Sequence, residues 1–498
     1  VEEKVTGKAR RILAINTIAF IACFATWMLN GVLVTFLVDN GVFNWTPVQI
    51  GWLLGIPVLT GAIFRLPLGI LTDKYGGKWV FGSLMLFCSI PVYLLSVADS
   101  FLHFAILSFF YGFIGTGFAV GVGYTSVWFP KKWQGTALGI FGAGNAGAAI
   151  TTLFAPTLLN KLTANNTDLE RWRELPVYYS TVLVGISIVF LLFTENKKPQ
   201  GSVKKVGQLL IPLKSVRVWR FGMYYFLVFG CFVAFSQWLV PYFVNVYSVS
   251  LVTAGFFASL FSFPSGMIRI LGGWLSDKFG ARKVMYWVLG SSVAISALLI
   301  VPRMEIYSPG QGTMAARTGM VTWVSDTLVR VGEDAYQLTA NNKCYEPVQD
   351  ATTIIFPSKN SWQEPVVKVG DTIKKRQLLA KATTRIYFQA NIWVFAILAS
   401  IVGIAWGIGK AAVYKHIPEY FPNEVGVVGG MVGVIGGVGG FVCPILFGYL
   451  LQVTGLWTSS WMLMLLISVL CFFWMHNVIN KMMKREAPHL SRHFENKH

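Results

Sequence analysis

Apolar residues run along this chain in long blocks separated by short polar ones. Blocks long enough to cross a bilayer fall at about 13–38, 47–72, 79–98, 101–129, 134–160, 176–194, 219–247, 251–276, 284–301, 387–417, 424–452 and 457–480. A crossing helix needs about 20 mostly apolar residues, so the pattern predicts about twelve spanning helices. Between the ninth and tenth blocks lie about 85 more polar residues, 302–386. Their alternation and turn residues predict strands instead, at Gly319–Val324, Thr327–Glu333 and Glu364–Ala380.

Composition strengthens the membrane reading. The chain is 54% hydrophobic and 13% charged, with a mean hydropathy of +0.58, which excludes an ordinary soluble domain. A net charge of +19 would suit a nucleic-acid binder. The basic residues gather instead in alternate loops: Lys4 to Arg11, Lys74 and Lys78, Lys131 and Lys132, Lys197 to Arg217, Lys278 to Lys283, and Lys481 to Arg485. That bias predicts a multi-pass protein of the cell's inner (plasma) membrane with both termini cytoplasmic, and no nucleic-acid partner. No cleavable leader is expected, because the short basic segment 1–11 leads into a full-length first helix. The six cysteines contain no Cys-x-x-Cys pair, so neither a metal site nor a disulfide framework is expected. No catalytic triad or phosphate loop is present, and the expectation is a non-enzyme without a cofactor.

One stretch recurs. Gly61-Ala-Ile-Phe-Arg65-Leu-Pro-Leu-Gly69-Ile-Leu-Thr-Asp73-Lys-Tyr-Gly-Gly-Lys78 is echoed by Pro264-Ser-Gly-Met-Ile-Arg269-Ile-Leu-Gly-Gly-Trp-Leu-Ser-Asp277-Lys-Phe-Gly-Ala-Arg282-Lys283, offset by 204 residues. Each copy places an arginine eight residues before an Asp-Lys-aromatic-Gly turn. With the aspartates at the membrane surface, a helix carries each arginine about 12 Å inward, near the middle of a slab about 30 Å thick. A charge there costs about 2.5–3.5 kcal/mol even on the lenient insertion scale. Both motifs fall in the second helix of a six-helix half. Such parallel halves predict a transporter whose substrate site lies between them at the midplane. The expected divisions are an N-terminal bundle at 1–194, a cytoplasmic linker at 195–218, a C-terminal bundle at 219–302 plus 387–482, the insertion at 303–386 and a tail at 483–498.

The paired turns resemble the signature loop of the major facilitator superfamily. That resemblance implies gating roles for Asp73, Lys78, Asp277 and Arg282, with the Asp capping a neighbouring helix and the basic residues binding carboxylates. The fifth helix carries Gly139-Ile-Phe-Gly142-Ala-Gly144-Asn145-Ala-Gly147. The eleventh carries Gly429-Gly430-Met-Val-Gly433-Val-Ile-Gly436-Gly437-Val-Gly439-Gly440. Glycines at these spacings suit close helix packing. The pair also resembles the signature helices of the nitrate/nitrite porter family. By that resemblance Asn145, Gly144, Gly433 and Gly437 contact substrate, and Tyr225 and Phe229 of the seventh helix line the pocket. The tenth helix, with Gly407-Ile-Gly409-Lys410, resembles the nitrate/proton symporter branch, whereas the antiporter branch more often has Gly-Asn-Gly there.

The buried charges point the same way. Arg65, Arg269 and Lys410 lie inside apolar runs, and no Asp or Glu does. Three facing cations repel by several kcal/mol at an effective dielectric near 20, and a small anion relieves them. The arginine fork suits a flat oxyanion through two parallel hydrogen bonds. The alternative for each arginine is a gate or snorkelling residue, and Lys410 can snorkel too. Lys410 is otherwise the proton-coupling candidate, since burial and neighbouring cations disfavour its charged form. His416 is a second candidate, read as a surface residue near Glu419.

In the insertion, Val329-Arg-Val-Gly-Glu333 and Val367-Lys-Val-Gly-Asp371 read as two copies of one hairpin. The second resembles a biotinyl/lipoyl barrel-sandwich half-motif, without that family's modified-lysine hairpin. A small β domain for docking or gating, with an unknown partner, is expected. The fold expected is an all-α, twelve-helix major facilitator protein with a β-rich insertion. Its expected function is import of nitrate, and of nitrite, by proton symport, as a monomer in the lipid bilayer. The alternatives are nitrate/nitrite antiport, and a nitrate receptor or membrane anchor that docks a redox partner.

Overall fold

The computed structural model describes residues 5–198, 211–300, 303–340, 358–421 and 425–486. Of the expected linker and tail, 199–210 and 487–498 lie outside the described residues. The chain divides into two compact units, Val1–Ile300 with Ala396–His498, and Val301–Phe395.

The first unit is helical, and each of the twelve apolar blocks is a helix. In chain order these are α1 (Gly7–Asp39), α2 (Pro47–Ile63 with Arg65–Tyr75), α3 (Gly77–Val97), α4 (Phe101–Ser126), α5 (Trp133–Leu162) and α6 (Leu169–Phe193). The second half holds α7 (Val216–Tyr247), α8 (Leu251–Met267 with Arg269–Phe279), α9 (Ala281–Leu298), α10 (Ile392–Tyr420), α11 (Val425–Thr454) and α12 (Ser459–Glu486). Among the described residues nine helices, or eleven with the two bent ones, are long and apolar enough to cross a membrane. The remaining one, α9, has 18 residues, about 27 Å of rise.

The two repeated helices bend at the same place. The halves of α2 meet at 42° and those of α8 at 47°. Arg65 and Arg269 are the first residues after the bends. Proline accounts for the break in α2, since it lacks an N–H and crowds the preceding turn. Pro67 cannot bond back to Ile63, whereas in α8 Pro264 lies before the bend and its carbonyl still accepts from Ile268 N at 2.9 Å. Each lower segment stops at a glycine with positive φ, Gly76 at 89° and Gly280 at 85°. A side chain is strained there, which explains the glycine in each Asp-Lys-aromatic-Gly turn.

Small residues then let the halves meet. A methyl group added at Gly55 of α2 would come within 2.7 Å of the Phe441 carbonyl of α11. One at Gly266 of α8 would come within 2.7 Å of Ala146 N in α5. α2 therefore lies on α11, and α8 on α5, with backbones nearly touching.

The second unit is β-rich. One sheet has the order β1 (Arg303–Pro309), β8 (Leu378–Gln389), β2 (Thr313–Met314), with β6 (Ser358–Pro365) also paired to β8. The other runs β5 (Asp334–Gln337), β4 (Leu328–Val331), β3 (Gly319–Val324), β7 (Thr372–Ile373). Val321, Val329, Val331, Ile373 and Leu379 form its core. The two segments expected to be copies of one hairpin differ. The first is a hairpin, with Val331 opposite Asp334 across Gly332. The second is a turn in which Asp371 Oδ2 accepts from Lys368 N at 2.7 Å. The chain then enters β7, which pairs with Gly319 and Met320 rather than folding back. The aspartate closes its own turn, and that ends the likeness.

Candidate functional site

Arg65 is 4% exposed and Arg269 is half-buried. Each crosses to the opposite half. Arg65 of α2 donates from Nη1 to the Gly433 carbonyl of α11 at 2.7 Å. A methyl group on Gly433 would stand 3.5 Å from that nitrogen and 3.2 Å from the Tyr414 hydroxyl. Arg269 of α8 lies along Gly142 of α5, where a methyl would meet its Cδ at 3.3 Å and its Nε at 3.5 Å. The glycine runs thus leave room for arginine side chains as well as for helix backbones.

Aromatic rings bracket the two guanidinium groups. Phe118 of α4 touches both, its ring centre 5.9 Å from Arg65 Cζ and 5.2 Å from Arg269 Cζ. The two carbons are therefore no farther apart than the sum of those distances. On another side Phe229 faces Arg65 at 5.0 Å and Tyr414 faces Arg269 at 5.7 Å. Tyr225 links these two rings, stacked on Phe229 at 5.0 Å and edge-on to Tyr414 at 5.0 Å. Phe229 sits in a π-helical segment of α7, Phe226–Cys231, an irregularity common at functional sites.

These contacts leave the charge uncompensated. Cation–π contacts are worth about 0.5–2 kcal/mol each and neutralise nothing. Among the described residues neither arginine makes an ion pair. Arg65 Nε and Nη2 and Arg269 Nη1 are buried donors without a protein partner. Such groups cost about 1–3 kcal/mol each when unmet, and more when charged. Donors of both forks thus remain available for an acceptor.

Lys410 is fully buried. Its ammonium donates to Ser265 Oγ at 3.2 Å and sits 3.1 Å from the centre of the Phe232 ring. Ser265 is one helical turn before Arg269, so the lysine adjoins the arginine level. Asn145 is 1% exposed, and neither its amide nitrogen nor its oxygen has a partner. No hydrogen bond ties it to either arginine among the described residues. Gly437 faces Ala62, and a methyl there would be 3.9 Å from Arg65 Nη1. Gly144 turns away toward α1, where its methyl would meet Phe20 Cε1 at 3.2 Å. Its role in the structure is packing, because helical rotation between Gly142 and Gly144 points them to different neighbours.

At the turns, Asp277 Oδ1 pairs with Lys415 Nζ of α10 at 2.5 Å, instead of capping a helix. Both partners are about half exposed, so the pair is worth under about 1 kcal/mol. Arg282 Nη2 donates to the Tyr420 hydroxyl at 2.5 Å. Asp73 stands at the matching place in α2, and Lys78 lies 5.3 Å over the Trp79 ring. His416 is 4% exposed and stacks on Phe221 at 5.5 Å. It is not a surface residue, because the start of α7 covers it.

Sequence reading missed Phe118, Phe232, Ser265 and the orienting part of Tyr414, whose hydroxyl donates to the Gly429 carbonyl at 2.9 Å. Phe118 stands among Gly117, Gly121 and Gly123, a clue of the kind used for α5 and α11.

The model of the Major Facilitator Superfamily matches residues 15–327 and 378–494. A Thermus thermophilus protein described as a probable nitrate/nitrite antiporter is 35% identical over 498 residues, covering 99% of this chain and 97% of that one. A probable nitrate transporter of Staphylococcus carnosus is 26% identical over 94% of this chain and 96% of its own. A nitrite extrusion protein of Bacillus subtilis is 23% identical over 93% and 94%. Among solved structures, a bacterial homologue of the human lysosomal transporter Spinster, inward-facing and occupied, has a TM-score of 0.64 at 13% identity. It covers 95% of this chain and 98% of that one, and supports the fold alone.

Proposed function

Because the chain belongs to the nitrate/nitrite porter family of the major facilitator superfamily, we propose that it imports nitrate, and nitrite, by proton symport through a slot between Arg65 and Arg269. The observation that carries this reading is the pair of forks, Arg65 buried and Arg269 half-buried, with unmet buried donors and no carboxylate partner among the described residues. A flat monovalent oxyanion accepts from both forks and restores the missing charge. Phe118, Phe229 and Tyr225 wall the slot, and the glycines bound it tightly, which disfavours phosphate or an organic diacid.

Bringing an anion into a negative-inside cell costs about 2.3 kcal/mol per 100 mV. One accompanying proton cancels that cost and two make entry electrically favourable. Lys410, buried beside Ser265 without an acid, is the residue assigned to proton coupling. The charge bias of the loops supports an inner-membrane protein with both termini cytoplasmic.

Exchange of nitrate for nitrite is a second reading. It is favoured by the description of the Thermus relative as an antiporter. Proteoliposomes with external nitrate separate the two. Uptake driven by a pH gradient with no internal nitrite supports symport. An absolute need for internal nitrite replaces it with exchange, and no flux under either condition removes the transport proposal.

A further inference from the structure

A second group of arginines gathers where α7 and α9 begin and α10 ends. Arg217 and Arg220 stand in the first turns of α7, Arg282 in the first turn of α9 and Tyr420 at the end of α10. Tyr420 draws them together. Its hydroxyl accepts from Arg282 Nη2 at 2.5 Å, and its ring centre is 5.1 Å from Arg217 Cζ. Phe221 packs against that ring at 5.7 Å and bears Arg220, whose Cζ lies 5.4 Å from the Phe221 centre. The charges of Arg217 and Arg282 both act on Arg220.

Nothing among the described residues offsets this charge. Arg220 is 9% exposed and makes no hydrogen bond or ion pair there, and Arg217 and Arg282 make no ion pair. Asp277, five residues before Arg282, is taken by Lys415. One turn deeper than Arg220, the Tyr224 hydroxyl is buried without a partner, close enough for the arginine's charge to act on it. The helix starts add to the imbalance. Neither α7 nor α9 has a side-chain cap or an acid in its first turn. A helix start carries unmet N–H groups and the positive end of the dipole, where a negative group is normally found. Here arginines stand in its place.

We propose that this cluster binds a phosphate group, carried by an anionic phospholipid or by soluble phosphate. Arginine forks hold phosphate oxygens through paired hydrogen bonds, and basic pockets between membrane helices suit phospholipid headgroups. Tyr224 and Tyr420 each retain a hydroxyl proton to donate. Val216 and Trp219, next to the two α7 arginines, are exposed apolar side chains, as a site reached from the bilayer requires. None of these residues lines the slot between Arg65 and Arg269, so the site stands or falls apart from nitrate transport.

The test reads the thermal midpoint of purified full-length protein in detergent. Phosphatidylglycerol is compared with phosphatidylcholine of the same chains, and sodium phosphate with sodium chloride at equal ionic strength. The variants are Arg220→Gln, a double Arg217→Gln with Arg282→Gln, and Arg10→Gln, which removes an exposed charge elsewhere. The double variant changes only exposed side chains, so it carries the test if Arg220→Gln does not fold. Phosphatidylglycerol is expected to raise the wild-type midpoint by about 2 °C or more, as a ligand that binds the folded state does. Arg220→Gln and the double variant lose at least about half of that rise, and Arg10→Gln keeps it. A rise with the lipid alone assigns the site to a headgroup, and an equal rise with sodium phosphate assigns it to soluble phosphate. No rise with either, an undiminished rise in Arg220→Gln and the double variant, or an equal loss in Arg10→Gln overturns the site.

Discussion

Arg65 and Arg269 are matched by the repeat but not held alike. Arg65 is nearly enclosed and spends one donor on a backbone carbonyl. Arg269 is half-buried and rests along a glycine. Both lean on Phe118, so an anion between the forks would have one ring beneath it. Lys410 is the third cation and is held differently, by a serine and a phenylalanine. Replacing it by methionine keeps its volume and removes its proton. Lys410→Met is expected to retain nitrate binding and to lose uptake driven by a pH gradient by about tenfold or more, as expected for loss of an essential proton-transfer group. Flux measured against pH in proteoliposomes checks this, and an unchanged pH response would release Lys410 from the coupling role. The burial of Lys410 and Arg65 was legible as charge within apolar blocks. Phe118 was not, because a lone phenylalanine in an apolar helix carries no mark of the direction it faces.

At the scale of the helix, glycine and proline carry the design. A proline breaks α2 beside its arginine, α8 bends at the matching place, and glycine runs on α5 and α11 admit the opposite half. The repeat of 204 residues marked α2 and α8 as equivalent, and the glycine spacing marked α5 and α11 as faces for close packing. The bends of 42° and 47° were not readable, since the two motifs place their prolines on opposite sides of the arginine. Nor was the inward turn of Gly144 toward Phe20, which depends on where the helix tightens to a 3₁₀ turn at Ala143–Ala146. Gly440 lies against Val58 of α2 and Val233 of α7 at once. Gly440→Leu therefore overpacks two interfaces and is expected to destabilise the protein by about 1–3 kcal/mol. A lowered thermal midpoint in detergent checks it. An unchanged midpoint would mean that α11 is free to shift.

At the scale of the molecule, the transporter and the insertion are separate compact units. The insertion was legible as strands from its alternation. The likeness between its two Val-x-Val-Gly-acid segments misled, because residue type does not say whether a turn folds back or runs on. β1 pairs with the end of β8 from Arg303 opposite Gln389 to Pro309 opposite Thr383. Excising 310–382 and closing the gap with a short flexible linker leaves that two-stranded stem intact. Nitrate flux is expected to remain within about threefold of wild type, because loop excision at such a closed stem costs little. Loss of flux from a protein that still binds nitrate would assign the insertion to gating.

Nitrate binding to purified wild type, Arg65→Lys and Arg269→Lys, at matched thermal midpoints, tests most directly whether the paired forks hold the anion. Lysine keeps the charge and loses the second parallel hydrogen bond, so each variant is expected to bind about tenfold to a hundredfold more weakly. Wild-type affinity in either variant would contradict the two-arginine slot.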